Sequence, residues 1–230
     1  MKFYALDPTT LLNYPGKLAC TVFTGGCNFR CGYCHNASLV LPGEEPGVDE
    51  EEVLRHWNRR KNILEGVCVT GGEPTLQAEL PGFLRRLKDA GALVKLDTNG
   101  SRPEVLSRLY EEKLVDYTAM DIKADPKGYP VLTGCDDDLT ADISRSVRLV
   151  MDNSPDYEFR TTVTAEYFNE KVFHGIGEWI RGAKAWYLQS FRDSGALLSS
   201  RFHPPERELM KEGVDIMSTY VKKAELRGSD

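Results

Sequence analysis

Short apolar runs recur along the chain, each closed by small or polar residues and followed by a longer stretch with apolar positions at helical spacing. The first run spans residues 18–23 and ends in Thr24-Gly25-Gly26; others span 66–70, 93–98, 115–122, 157–163 and 183–191. Runs of this kind, punctuated by Gly, Pro, Asn and Asp, read as strands. The stretches between them, 49–64, 78–90, 103–113, 139–151 and 168–181, read as helices. Asp49 stands where an N-cap belongs, and Glu50, Glu51 and Glu52 follow in the first turn, where the helix dipole favours anions. Strand and helix thus alternate about six times, at spacings suited to βαβ crossovers, which predicts an α/β fold with a parallel sheet and helices outside it. Alternation alone does not separate a doubly wound sheet from a complete or partial barrel. In all of these, ligands gather at the carboxyl ends of the strands, so polar residues there are the ones to read for chemistry. One domain is predicted. Residues 1–17 are a lead-in, with Phe3-Tyr4-Ala5-Leu6 a short strand and Asp7-Pro8 a turn. Residues 18–191 are the β/α core, and 192–230 a C-terminal extension with a late strand over 217–226.

Composition changes this picture in two respects. With 230 residues, 29 basic against 35 acidic and a formal charge of -6, the chain argues against a basic nucleic-acid footprint. No stretch approaches the ~18 apolar residues of a membrane span, and the first residues show no basic segment followed by an apolar one. A cytoplasmic protein is therefore expected, where thiols stay reduced. Its six cysteines then point to metal ligation rather than to disulfides. The locally charged stretches 42–52 and Asp136–Asp138 read as surface loops.

Three of the cysteines stand together in Cys27-Asn28-Phe29-Arg30-Cys31-Gly32-Tyr33-Cys34, directly after the first strand. Such spacing lets three thiolates converge on one inorganic centre. With His35 as a fourth ligand the centre is a structural zinc site. With three thiolates alone it is a [4Fe–4S] cube with one iron open to a ligand. The next strand ends carry Gly71-Gly72-Glu73-Pro74, Asp97-Thr98-Asn99-Gly100, Asp121-Ile122-Lys123, Arg160 with Thr162, and Gln189. Taken singly, these are turns, a capping glutamate, an ion pair and a solvated amide. Charges pointing inward from several core strands in succession are costly unless paired or bound to something, which favours a polar pocket. Cys20 and Cys68 lie within strands and read as small buried residues, and Cys135 as a non-ligand thiol. His56, His174 and His203 are assigned no ligand role.

The three cysteines with Tyr33 before the last one resemble the radical S-adenosylmethionine (SAM) superfamily, and Gly71-Gly72-Glu73-Pro74 resembles that superfamily's SAM-binding turn. The resemblance implies a partial (β/α)6 barrel and a [4Fe–4S] cluster held by Cys27, Cys31 and Cys34. It implies SAM chelating the open iron, Tyr33 beside the adenine, and Gly71, Gly72 and Glu73 at the SAM amino group. His35-Asn36 after the third cysteine, Asp-Thr-Asn-Gly and Asp-Ile-Lys are similar to the glycyl-radical-enzyme activating enzymes. Asn13-Tyr14-Pro15-Gly16-Lys17 further resembles those that serve anaerobic ribonucleotide reductases. By that resemblance Asp97, Thr98 and Asp121 hold a monovalent cation, and Lys123 and Arg160 neutralise carboxylate. His35, Asn36 and Asn99 border the cofactor, and Gln189, outside the resemblance, is expected to face it from the end of the sixth strand. The partner is a glycyl radical enzyme, and the electron donor a flavodoxin or ferredoxin. No auxiliary cluster is expected, since Cys68 is the one cysteine between His35 and Thr70. A 7-carboxy-7-deazaguanine synthase-like enzyme typically has Asp-Thr where this chain has His35-Asn36. A non-enzymatic iron–sulfur or zinc protein leaves the strand-end motifs without a role.

Overall fold

The computed structural model describes residues 1–43, 45–135, 139–193, 195 and 197–228, so the acidic Asp136–Asp138 loop lies outside the described residues. Its strands, in chain order, are β1 (Lys2–Phe3), β2 (Ala5–Thr10), β3 (Ala19–Thr24), β4 (Val48–Asp49), β5 (Gly66–Gly71), β6 (Leu93–Thr98), β7 (Tyr117–Asp121), β8 (Tyr157–Val163), β9 (Trp186–Ser190) and β10 (Ala224–Arg227). The helices are α1 (Ala37–Val40), α2 (Glu50–Arg60), α3 (Leu80–Asp89), α4 (Pro103–Glu111), α5 (Tyr129–Thr133), α6 (Thr140–Asn153), α7 (Glu170–Trp179) and α8 (Arg207–Met217).

Eight of these strands form one sheet in the order β2-β3-β5-β6-β7-β8-β9-β10, and β1 pairs with β4 in a separate antiparallel ribbon. The sheet order repeats the chain order. Each crossover therefore moves one strand in the same sense, as in a barrel wall, whereas a doubly wound sheet reverses direction part-way. Every neighbouring pair from β3 to β10 is parallel, and β2 lies antiparallel on the edge of β3. The fold is a partial α/β barrel of the expected type, open between β2 and β10.

Side chains alternate across the sheet. Val67, Val69, Val94, Leu96, Met120, Phe159 and Leu188 are fully buried in the apolar core. That core also takes Val53, Leu54 and Trp57 of α2 and Phe83, Leu84 and Leu87 of α3. The Asp49 side chain accepts from the Glu52 amide at 2.8 Å, so the N-cap of α2 forms as the sequence implies. The opposite set, Cys68, Lys95, Asp97, Asp121, Glu158 and Arg160, fills the concave face with polar groups. The charges are confined to β6, β7 and β8, while β3, β5 and β9 carry none.

Two regions depart from the sequence expectation. Asp7-Pro8 does not turn the chain; β2 continues through it, with a register shift between Asp7 and Thr10. Proline is tolerated there because an edge strand has amides that need no ladder partner. At the other end, the late strand expected over 217–226 begins only at Ala224, and Met217 closes α8. Met210, Gly213 and Met217 form the buried stripe of that helix at helical spacing. β10 then adds a seventh parallel strand and brings Arg227 against Glu158, at 2.5 and 2.7 Å from its two carboxylate oxygens. Glu158 is fully buried, and Tyr117 Oη also donates to it at 2.8 Å. The C-terminal segment thus neutralises a charge that the six-strand core would leave unpaired. No helix among the described residues is long and apolar enough to cross a membrane.

Candidate active site

The carboxyl ends of the strands open into one cleft. Every site residue expected from the sequence lines it: Cys27, Cys31, Tyr33, Cys34, His35, Asn36, Gly71, Gly72, Glu73, Asp97, Thr98, Asn99, Asp121, Lys123, Arg160 and Gln189. Thr162, named in the sequence beside Arg160, lines it too; Thr70, Phe29 and Val40 complete the lining and were not anticipated.

The cysteine loop is held mainly by its backbone, with the Cys27 sulfur accepting from the Phe29 amide at 3.4 Å. The Arg30 amide donates to the Thr133 carbonyl at 2.6 Å, Ser199 to Gly32 at 3.0 Å, and Cys34 to Cys31 at 3.1 Å. Phe202, from the C-terminal segment, packs edge-on against Tyr33 with ring centroids 5.4 Å apart. Cys27, Cys31 and Cys34 are free thiols. Burial pushes the Cys27 thiol up to about 11 and Cys31 to about 12, so both are neutral at pH 7 without a bound metal. Among the described residues, no three His, Cys, Asp or Glu side chains are arranged to hold a single metal ion. The His35 ring instead stacks on Phe191 at 5.8 Å, and burial, reinforced by Lys123, lowers its pKa. The His35 side chain is thus engaged with Phe191. Cys27, Cys31 and Cys34 all line the cleft, and three thiols are the donor set of a [4Fe–4S] centre with one open iron. Tyr33 Oη is buried without a hydrogen-bond partner among the described residues, an orphaned polar group of the kind a bound cofactor would meet.

The glycine pair serves the loop first. A Cβ at Gly71 would lie 2.3 Å from the Thr24 carbonyl oxygen, and one at Gly72 only 2.0 Å from that of Gly26. Gly71 also has φ +119°, outside the range of other residues. The two glycines thus let the end of β5 approach the end of β3 closely. Through it the Gly72 amide donates to Thr24 at 2.9 Å and Glu73 to Gly26 at 2.8 Å. Asn36 closes the circuit with a 3.2 Å bond to the Gly71 carbonyl. Gly72→Ala is therefore expected to shift the cysteine loop, at a cost of about 1–3 kcal/mol. Melting temperature and iron content after reconstitution check this, and unchanged values for both contradict it.

Glu73 is fully buried. Its Oε1 accepts from the Thr75 amide (3.0 Å), Thr75 Oγ1 (2.5 Å) and Thr98 Oγ1 (2.9 Å), and its Oε2 from the Asn99 amide (2.6 Å). Burial outweighs these bonds and raises its pKa. Oε2 keeps capacity for one more donor, the requirement for holding an ammonium group.

Below lies a chain of alternating charges. Asp97 pairs with Lys95 and, at 3.3 Å, with Arg160. Arg160 Nε donates to Asp121 Oδ1 and Lys123 Nζ to Asp121 Oδ2, both at 2.9 Å. Strand register builds this, since Asp121 stands directly opposite Arg160. Burial alone would raise both carboxyls, but Arg160 with Lys95 or Lys123 holds Asp97 and Asp121 below the usual range. Burial likewise opposes the charge on Lys123 and Arg160, yet Asp121 holds both above their ordinary values. Lys95 was not expected from the sequence. The signal was its place two residues before Asp97, on the same strand face. Cys68, expected to be a plain packing residue, lies beside this pair, its Sγ 3.7 Å from Lys95 Nζ. Cys135 Sγ donates to the Asn28 carbonyl at 3.0 Å.

The profile of the Radical SAM superfamily matches residues 21–167 of this chain. The chain belongs to the radical SAM superfamily. A Methanocaldococcus jannaschii protein assigned by name to the glycyl-radical enzyme activating enzymes is 30% identical over 224 residues, covering 94% of this chain and 91% of its own. The pyruvate formate-lyase-activating enzyme of Clostridium pasteurianum is 32% identical over 143 residues, 58% of this chain and 57% of its own. Among solved structures, Streptococcus suis SuiB superposes with a TM-score of 0.65 at 14% identity, over 90% of this chain and 48% of its own, which supports the fold. This radical SAM chain is thus an enzyme of the activating-enzyme class, and the superfamily implies a [4Fe–4S] cluster and SAM.

Proposed function

We propose that the chain activates a glycyl radical enzyme, with anaerobic ribonucleotide reductase as the partner. The observation that carries this is the meeting of the cysteine loop, the Glu73 turn and the Asp97–Arg160–Asp121–Lys123 network in one cleft. In this reading Cys27, Cys31 and Cys34 hold the cluster. Glu73 Oε2 takes the SAM ammonium, while Arg160 and Lys123 face its carboxylate. Tyr33, His35, Asn36, Asn99 and Gln189 border the rest of the cofactor. When bound, cluster and SAM supply a reductively generated 5′-deoxyadenosyl radical able to take a hydrogen atom from a glycine Cα. The chain's own residues orient the cofactor, balance its charges and shield the site.

A flavodoxin or ferredoxin is the proposed one-electron donor, and the cytoplasm the proposed setting. A glycine target suits a narrow cleft, having no side chain to obstruct approach to Cα. The 230 residues act, in this reading, as one radical SAM unit, supported by a sheet that runs from β2 to β10 without a break. The turn around Asn13–Lys17 lies at the amino ends of the strands, where Lys17 pairs with Glu65 at 2.7 Å. It supports the partner by resemblance rather than by contact with the cleft. A small-molecule reaction that relies on a magnesium-binding Thr after the third cysteine meets Asn36 there instead, bonded to Gly71.

Anaerobic reconstitution, reduction and addition of SAM test the chemistry. The expected product is 5′-deoxyadenosine, and its absence from a fully loaded protein overturns the proposal.

A further inference from the structure

The carboxylates that a monovalent cation would need are already taken. Asp97 Oδ1 is paired with Lys95 Nζ, and Asp97 Oδ2 lies 3.3 Å from Arg160 Nη1. Both Asp121 oxygens accept at 2.9 Å, from Arg160 Nε and Lys123 Nζ. Thr98 Oγ1, the third expected ligand, donates to Glu73 and accepts from the Gly100 amide at 3.1 Å. Two negative charges thus face three positive ones. A metal ion entering here would meet an excess of positive charge and would have to displace an existing donor. The donor set present does not fit a further cation.

Lys95 distinguishes this arrangement. Its side chain is 2% exposed, and Asp97 is its sole ion-pair partner among the described residues. A buried ammonium is retained only where a carboxylate compensates its lost hydration, and Asp97 in turn needs that charge. Standing beneath the cleft, Lys95 leaves Arg160 free to bridge to Asp121 and keeps a surplus positive charge turned toward the opening. Such a surplus matches an anionic ligand, such as the carboxylate of an amino acid.

We propose that the Lys95 ammonium is a tethered substitute for the monovalent cation, so that this protein binds SAM without sodium or potassium. Lys95 is a positioning residue that acts through Asp97 and Arg160. Only the SAM-binding readout rests on the function proposed above.

The test measures SAM affinity of the cluster-loaded protein in choline, sodium and potassium chloride at equal ionic strength, with melting temperatures of the cluster-free protein in the same salts. The wild type is expected to bind SAM equally, within about twofold, in all three. Lys95→Met, which keeps the stem and removes the charge, is expected to bind about tenfold more weakly in choline and to recover in potassium or sodium. Lys95→Arg retains the independence. A wild type that gains about tenfold in affinity from sodium or potassium overturns the proposal. So does a Lys95→Met protein that matches the wild type, or one whose loss neither ion relieves. Should Lys95→Met fail to fold, the wild-type salt series and Lys95→Arg decide. Failure of the SAM-site reading looks different: no SAM binding in any salt, with the melting temperatures still reporting on Lys95.

Discussion

Replacing Cys31 by alanine is expected to leave a folded protein that assembles no [4Fe–4S] cluster and forms no 5′-deoxyadenosine. The loop carrying Cys31 is fixed by the amides of Arg30, Cys34 and Ser199 and by the Tyr33–Phe202 contact, none of which uses the thiol. Removing one buried sulfur costs about 1–2 kcal/mol of packing. That is a small part of the roughly 5–15 kcal/mol typical of a domain. Two remaining thiols cannot hold a cube that needs three protein ligands. Iron and sulfide analysis, the visible absorbance of the cluster and a thermal melt separate loss of ligation from loss of fold. An intact cluster in the variant contradicts the ligand assignment.

Arg160→Met is expected to have the largest effect on stability. The guanidinium bridges Asp97 and Asp121, and its removal leaves two inward-facing carboxylates with one lysine each. Breaking a buried pair in this way costs about 3–5 kcal/mol. At roughly 2–4 °C per kcal/mol for a protein of this size, the melting temperature falls by about 10 °C. The effect carries a pH signature. Both carboxyls are held below their unfolded values, so their contribution is full above the ordinary carboxylate range and is lost as pH falls through the depressed folded values. Without Arg160 that depression shrinks. The deficit of the variant is therefore greatest at neutral pH and narrows on acidification. Melting temperatures of both proteins from pH 7 down to about pH 2 check this, since the narrowing falls below the ordinary carboxylate value of about 4; a deficit that does not change over that range contradicts it.

The wall of the barrel was legible because parallel strands covered on the outside read as apolar runs, and Gly and Pro mark where each ends. The site was legible for a related reason. Residues at strand ends such as Glu73, Asp97 and Asp121 follow directly from where the runs stop, and parallel topology brings those ends together. What stayed hidden depends on partners distant in sequence. Lys95 shares a strand face with Asp97 by spacing alone, but only the register with the neighbouring strand sets Cys68 beside the pair. The reason for Gly72 lies in the backbone of Gly26, 46 positions earlier in the numbering. Arg227 has meaning only beside Glu158, and α8 was obscured by the short, mixed segment that follows Phe191. Pro8 reads as the end of a strand, yet it is harmless because β2 is an edge, a property of the assembled sheet rather than of the local sequence.

The most direct measurement of the central claim is electron paramagnetic resonance on a mixture of cluster-loaded protein, SAM, a one-electron reductant and an anaerobic ribonucleotide reductase. The account predicts a glycyl radical signal on the partner that requires SAM and disappears with Cys31→Ala. Abundant 5′-deoxyadenosine without any glycyl signal, on this partner or on other glycyl radical enzymes, would contradict it.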